Sequence, residues 1–354
     1  MFYKIGNLRN QRLQILHAVA DFTCIFPFFC YNSSTVSNRA CLERMDSKKI
    51  RKSVGRFFGW LGLNLCSLIT KFMPGSWLLY SFAQAIARLG YLIARKQRKI
   101  ALESLTIAFG KEKSSSQIEQ ITKDCFTFLV KAGLELMFLM DRPSLLRKRV
   151  QIVGKENLDT ALSRGKGAVL VSAHFGNFPL LLARLSLEGY KTAGIIRYMR
   201  DERAEKFFVK KRNRLSIKTI YSQPRKVCVE NSIRSLRENE LLFIPLDQNF
   251  GTGGVFVDFF GRKAATATGP VVLAKRTGAT ILPCFILRQK DDTHKIIFES
   301  PLNLEEARTF QETVIINIQR LTHIIEGYIR RYPAEWGWIH RRWKSQAKSP
   351  AVKI

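Results

Sequence analysis

Gly167-Ala-Val-Leu-Val-Ser172-Ala-His174-Phe-Gly176-Asn177-Phe-Pro179 reads as a buried strand, a sharp polar corner and the first turn of a helix. A short apolar run without alternation suits a strand covered on both faces. Gly176 permits the turn, Asn177 is a helix-capping type, and Pro179 fits a first helical turn, where its missing N–H costs nothing. In open α/β sheets, chemistry gathers at such carboxyl ends of strands. His174 stands at this one, facing the positive end of a helix, which disfavours the imidazolium. That leaves two readings: a neutral imidazole acting as general base, or a strand-end histidine satisfied by a carbonyl.

The same rhythm continues on both sides. Short apolar runs at 192–196, 217–221, 241–246, 280–287 and 295–298 alternate with helical patterns at 179–188, 225–238 and 269–277. A helix is expected over 115–140 and a closing amphipathic helix over 313–330. Strand and helix in alternation predict an α/β domain with a mostly parallel or mixed sheet flanked by helices, over residues 115–344.

A second polar corner follows the run at 241–246, at Asp247-Gln248-Asn249, before the glycine-rich Gly251-Thr-Gly-Gly254. The glycine spacing is neither a P-loop nor a dinucleotide fingerprint. Val255 to Arg262 reads as an exposed aromatic loop, and Thr266 and Thr268 as hydroxyls that cap the next helix or face a ligand. The five histidines lack zinc-ligand spacing and no Gly-x-Ser-x-Gly elbow occurs, so neither a metal nor a serine nucleophile is expected.

Lys and Arg total 58 against 28 Asp and Glu in 354 residues, a formal net charge of +30. Such an excess favours anionic partners: nucleic acid, phospholipid headgroups, phosphorylated lipids or an acidic carrier protein. Seven widely spaced cysteines without a CxxC pair fit free thiols in a reducing compartment. Residues 1–44 read as an N-terminal extension without a functional role, with Met45 as an alternative start, and residues 345–354 as a flexible tail. Residues 45–114 are basic and apolar. Charge-free stretches at 57–70 and 72–87, broken at Pro74-Gly75 and flanked by Lys and Arg, suit an anionic membrane surface, as one kinked span or two interfacial helices. A buried hairpin in a soluble domain is the alternative.

Taken together and in order, five segments resemble the bacterial lipid A biosynthesis (lauroyl/myristoyl) acyltransferases, within the wider glycerolipid-acyltransferase-like group. They are Ser172-Ala-His-Phe-Gly-Asn177, Leu246-Asp-Gln248, Gly254-Val-Phe-Val-Asp-Phe-Phe-Gly261, Ala265-Thr-Ala-Thr-Gly-Pro270 and Tyr332-Pro-Ala-Glu-Trp-Gly-Trp-Ile-His-Arg-Arg-Trp-Lys344. The resemblance implies an enzyme on the cytoplasmic face of the bacterial inner membrane. Its donor would be an acyl-carrier-protein or acyl-CoA thioester, its acceptor a hydroxyl of an anionic membrane lipid, and it would need no cofactor. It further implies His174 as base and the backbone N–H of Gly176 as oxyanion donor. Asn177, Gln248, Thr268, Phe175 and Phe178 would lie on the substrate side. A positive region would comprise Arg197, Arg212 and Arg214.

One departure matters. The family signature has an acidic residue five positions after the histidine, and here that position is Pro179. The departure implies a remodelled dyad, a replacement carboxylate, or loss of activity. Asp247 is the preferred substitute because it ends a neighbouring strand, with Asp258 second. Two rival classes follow: a membrane-associated scaffold that has lost the dyad, and a nucleic-acid-binding protein, for which the chain carries no fold motif.

Overall fold

The computed structural model describes residues 42–346. Most of the expected extension (1–41) and tail (347–354) lie outside the described residues. Four helices come first: α1 (Leu42–Phe72), α2 (Ser76–Ile93), α3 (Arg95–Phe109) and α4 (Ser115–Met140). The break between α1 and α2 falls at Pro74-Gly75, and α4 starts on a reciprocal capping box between Ser114 and Gln117.

The alternating part then runs α5 (Pro143–Arg149), β1 (Val150–Val153), α6 (Lys155–Ser163), β2 (Ala168–Ser172), α7 (Phe178–Leu187), β3 (Thr192–Ile196), α8 (Glu202–Arg214), β4 (Ile217–Tyr221), α9 (Arg225–Arg237) and β5 (Leu241–Pro245). After it come β6 (Val255–Phe259), β7 (Arg262–Thr266), α10 (Gly269–Thr277), β8 (Thr280–Arg288), β9 (His294–Phe298) and α11 (Phe310–Arg331). Seven strands form one mixed sheet in the order β1-β9-β8-β2-β5-β3-β4, and β6 and β7 form a separate antiparallel pair. Every pairing in the large sheet is parallel except β8 with β9.

Helices cover both faces, as the expected α/β class requires. On β2, Val169 and Val171 join one apolar cluster with Val271, Ile318 and Ile325, while Ala168 and Leu170 join the other with Leu63, Leu79 and Leu181. The alternate side chains of one strand thus seed two half-cores. The second includes residues of α1 and α2, so the N-terminal helices pack on the sheet domain.

The aromatic segment after Val255 corrects the sequence reading. It is strand β6, with Val257, Phe259 and Phe260 buried against Trp336, Trp338 and Trp343. The inward side chains alternate with exposed Asp258, a strand pattern hidden by the preceding glycines.

Among the described residues, no helix is long and apolar enough to cross a membrane. Instead α1 is two-faced. Leu63, Cys66 and Thr70 are buried, while Phe57, Phe58, Leu61, Leu65, Leu68 and Phe72 are 44–75% exposed along one helical stripe. Trp77, Leu89 and Leu92 on α2 are also exposed.

Candidate active site

Strand register decides the site. Ser172 pairs with Pro245 in the parallel β2–β5 ladder, and the two strands end together, with Leu246 N–H donating to Ser172 O at 2.8 Å. The residue two places beyond each strand end therefore emerges side by side with the other. These are His174 and Asp247, and His174 Nδ1 lies 2.8 Å from Asp247 Oδ1. The Asp247 side chain is 2% exposed and that of His174 12%, so the imidazole forms the outer member of the pair.

Each group is held from a second side. The Trp336 indole N–H donates to Asp247 Oδ2 at 2.7 Å. Gln248 Nε2 lies 3.2 Å from His174 Nε2. An amide nitrogen can only donate, so Nε2 accepts, and the ring proton sits on Nδ1 and points at Asp247. Burial alone would raise the Asp247 carboxyl, but the His174 ring beside it and the Trp336 donor outweigh it and hold it at about 2. An ionised acid behind Nδ1–H and a lone pair at Nε2 is the arrangement a general base needs.

The chain's C-terminal segment passes beneath this corner. Phe175 forms a bridge with Trp336, and Gly176 N–H donates to Glu335 O at 2.9 Å. Gly176 has φ +61°, and a Cβ there would collide with the Ile286 carbonyl. Arg342, fully buried, donates to Gln248 O at 3.1 Å, Ala265 O at 2.6 Å and Thr266 Oγ1 at 2.5 Å, bracing the loop that carries Gln248. His340 lies close enough for its basicity to respond to both Asp247 and His174, and burial pushes its imidazole down to about 4. Trp336, Arg342 and His340 belong to the Tyr332–Lys344 segment, to which sequence reading assigned no site role.

Several expected ligand contacts are instead internal. The Gly176 N–H is bonded to the Glu335 carbonyl. Asn177 occupies the cap position of α7, but its side chain makes no cap bond. It is buried and donates to Ala132 O at 3.0 Å and Glu135 Oε2 at 3.1 Å. Phe175 is fully buried against Phe285 and Tyr328. Phe178 stacks on Phe243 and stands edge-on to His174. Arg212 is buried in a 2.7 Å ion pair with Glu205, leaving Arg197 and Arg214 as the exposed members of the positive region. Asp258, the second choice as orienting acid, is exposed and paired with Lys263 at 3.0 Å. Thr266 is buried, and Thr268 sits half-buried at the start of α10 without capping it. Pro179 lies in the first turn of α7.

Glu335 offers a pH test. Burial, with help from Glu135, pushes its carboxyl from an ordinary 4.5 up to about 7, against the pull of Arg288. The folded state thus holds this proton more tightly than the unfolded one. The stability it contributes is full below pH 4.5 and is lost as pH rises through 7. Glu335→Gln should melt increasingly above wild type from pH 5 to 8, by up to roughly 3 kcal/mol. Thermal unfolding at both pH values checks this, and an equal difference at both contradicts it.

Residues 45–345 match the family described as bacterial lipid A biosynthesis acyltransferase. The chain is 23% identical over 300 residues to the lipid A biosynthesis lauroyltransferase of Escherichia coli (strain K12), covering 81% of this chain and 91% of that protein. It is 26% identical over 262 residues to that organism's lipid A biosynthesis palmitoleoyltransferase, covering 71% and 80%. A phosphatidylinositol mannoside acyltransferase of Mycolicibacterium smegmatis is 25% identical over 203 residues, covering 56% and 64%. The family match spans the helical region, both polar corners and the segment that braces them, so the chain belongs to the bacterial lipid A biosynthesis acyltransferase family.

Proposed function

We propose that the protein transfers a fatty acyl group from a thioester, carried by acyl carrier protein or coenzyme A, to a hydroxyl of a lipid A precursor or related membrane glycolipid. The observation that carries this reading is the 2.8 Å pair of His174 and buried Asp247 at the ends of adjacent strands. Asp247 takes the part of the acid that Pro179 replaces. His174 Nε2 accepts the hydroxyl proton as the oxygen attacks the thioester carbonyl. The tetrahedral intermediate then expels the thiolate, the C–S bond breaks, and the imidazolium returns the proton to sulfur. The products are an ester and a free thiol, with no covalent enzyme intermediate. Because Gly176 N–H is engaged, Gln248 is the preferred donor for the carbonyl oxygen. Its amide nitrogen sits beside Nε2, and an arriving hydroxyl would release it.

The acceptor's anionic groups, or an acidic carrier, suit the far end of the same strand edge. A cleft of about 630 Å³ lies there, its lining including Tyr198, Lys206, Lys210, Arg214 and Tyr221 and also Glu205, which is paired with Arg212, with exposed Arg197 just after β3. From Arg197 to Glu230 the chain carries 11 basic and 4 acidic residues. The exposed stripe of α1 would seat the protein in the cytoplasmic face of the inner membrane, as an interfacial helix does. The similarity to enzymes named for lipid A and for phosphatidylinositol mannoside supports an acceptor among lipid A and related glycolipids.

The test is acyl transfer by the detergent-solubilised full chain, with acyl-carrier-protein and acyl-CoA donors offered separately and a lipid A precursor as acceptor. Mass spectrometry should find one added acyl chain. Absence of transfer to this precursor and to total membrane lipid, from both donors, would favour the scaffold reading. Membrane attachment has its own check. Detergent, not high salt, should release the protein, and replacing Leu61, Leu65 and Leu68 together by Asp should move it to the soluble fraction. Complete release by salt would rule out apolar seating.

A further inference from the structure

The His174 turn rests on a buried carboxylate that the acyl-transfer chemistry above does not use. Glu135, on α4, is fully buried, and five donors converge on it. Its Oε1 accepts from Tyr80 at 2.6 Å and Arg288 Nη1 at 3.2 Å. Its Oε2 accepts from Arg288 Nη2 at 2.7 Å, His294 Nε2 at 2.8 Å and Asn177 Nδ2 at 3.1 Å. Burial alone would raise this carboxyl, but the His294 ring and the Arg288 guanidinium hold it well below the usual carboxylate range.

Stability alone is a poor reason for such a cluster, because desolvating the charges often offsets their attraction. Asn177 adds an independent sign. It stands where a helix cap would contribute about 1 kcal/mol, yet its side chain turns away from the helix toward Glu135 and the Ala132 carbonyl. Asn177 lies three residues beyond His174, and Phe178, next along, meets the imidazole edge-on with ring centres 5.2 Å apart. Gly176 is pinned from the other side by Glu335 O. The turn is therefore fixed on both sides of its chain, and the imidazole by Asp247.

We infer that Glu135 and Asn177 are positioning residues. Glu135 holds Asn177, and Asn177 sets the turn so that the imidazole keeps its bond to Asp247 and its Nε2 stays beside Gln248. This rests on the reading of His174 as general base. The shift needed to impair catalysis is small, since a 1 Å misplacement can cost on the order of 100-fold.

The test compares wild type, Asn177→Ala, Glu135→Gln and the double variant as full chains in detergent, with folding checked by circular dichroism. Asn177→Ala should lower kcat about 10- to 100-fold per folded molecule, with KM for donor and acceptor within about twofold. In the double variant, kcat should fall no further than in the worse single variant, because both act through one contact. Glu135→Gln leaves Arg288 facing an amide, and if it does not fold, Asn177→Ala decides alone. A second readout needs no activity. In ¹⁵N-histidine spectra, the ring signals absent from His174→Ala should report the Nδ1–H tautomer in wild type and a tautomer mixture in Asn177→Ala. Folded Asn177→Ala with wild-type kcat and unchanged His174 signals overturns the inference. If wild type transfers no acyl group, the enzymatic reading fails, while the ring signals still decide the positioning role.

Discussion

Replacing His174 by alanine is expected to lower acyl transfer by about 100-fold or more, the usual scale for a positioned general base. The imidazole is the outer, partly exposed member of its pair, edge-on to Phe178 and beside Asp247 and Gln248, so the fold should survive its loss. Asp247→Asn should have a smaller effect on rate if the carboxylate only fixes the ring's tautomer and orientation. It nevertheless removes a charge the site is built around, leaving the Trp336 N–H and the Nδ1–H to share a neutral amide. Both variants should keep KM near wild type, since neither residue lies in the basic cleft. Steady-state rates with a single donor and acceptor check this. Wild-type turnover in His174→Ala would remove the base assignment.

Gly176→Ala should have the largest effect on the folded state. The residue has φ +61°, where a Cβ is strained, and that Cβ would meet the Ile286 carbonyl. Left-handed strain and overpacking together predict a loss of roughly 2–5 kcal/mol. The backbone most exposed to the shift carries the Gly176–Glu335 bond, so residual folded protein should also transfer poorly. Gly165→Ala is the control. Gly165 has φ +68° with nothing near its Cβ position, so it carries the strain without the collision. It should cost only about 1–2 kcal/mol and leave transfer intact. Equal melting temperatures for the two variants would show that the close approach does not matter.

The sheet was largely legible in the sequence because its central strands β2, β5 and β8 are buried on both faces and the outer runs are short and bounded by turns. Runs such as Thr192–Ile196 and Ile217–Tyr221 lie between turn residues and helical stripes, and their bounds match the structure. The antiparallel β6–β7 pair was not. Its phenylalanines point into an aromatic cluster supplied by Trp336, Trp338 and Trp343, residues some 80 positions away that local pattern does not connect. The site divided in the same way. His174 and Asp247 were visible as polar residues directly after apolar strands, and parallel register then sets them side by side. Asn177 looked like a cap because local chemistry favours capping; a buried carboxylate 42 residues upstream recruits it instead. Gly176 looked like an oxyanion donor because its N–H follows the histidine, but Glu335 O takes that bond. The donor role of Trp336 needed coordinates, since an indole N–H has no sequence mark of its partner. Its place in the Tyr332–Lys344 segment that carried the family resemblance was the signal in the sequence.

Whether this chain esterifies a membrane lipid through His174 is read out by lipid mass spectrometry of cells with and without the gene. One membrane glycolipid should lose the mass of one acyl chain when the gene is absent. Wild type should restore it, and His174→Ala, present at equal level in the membrane fraction, should not. Identical lipid spectra with and without the gene, or full restoration by His174→Ala, would contradict the claim.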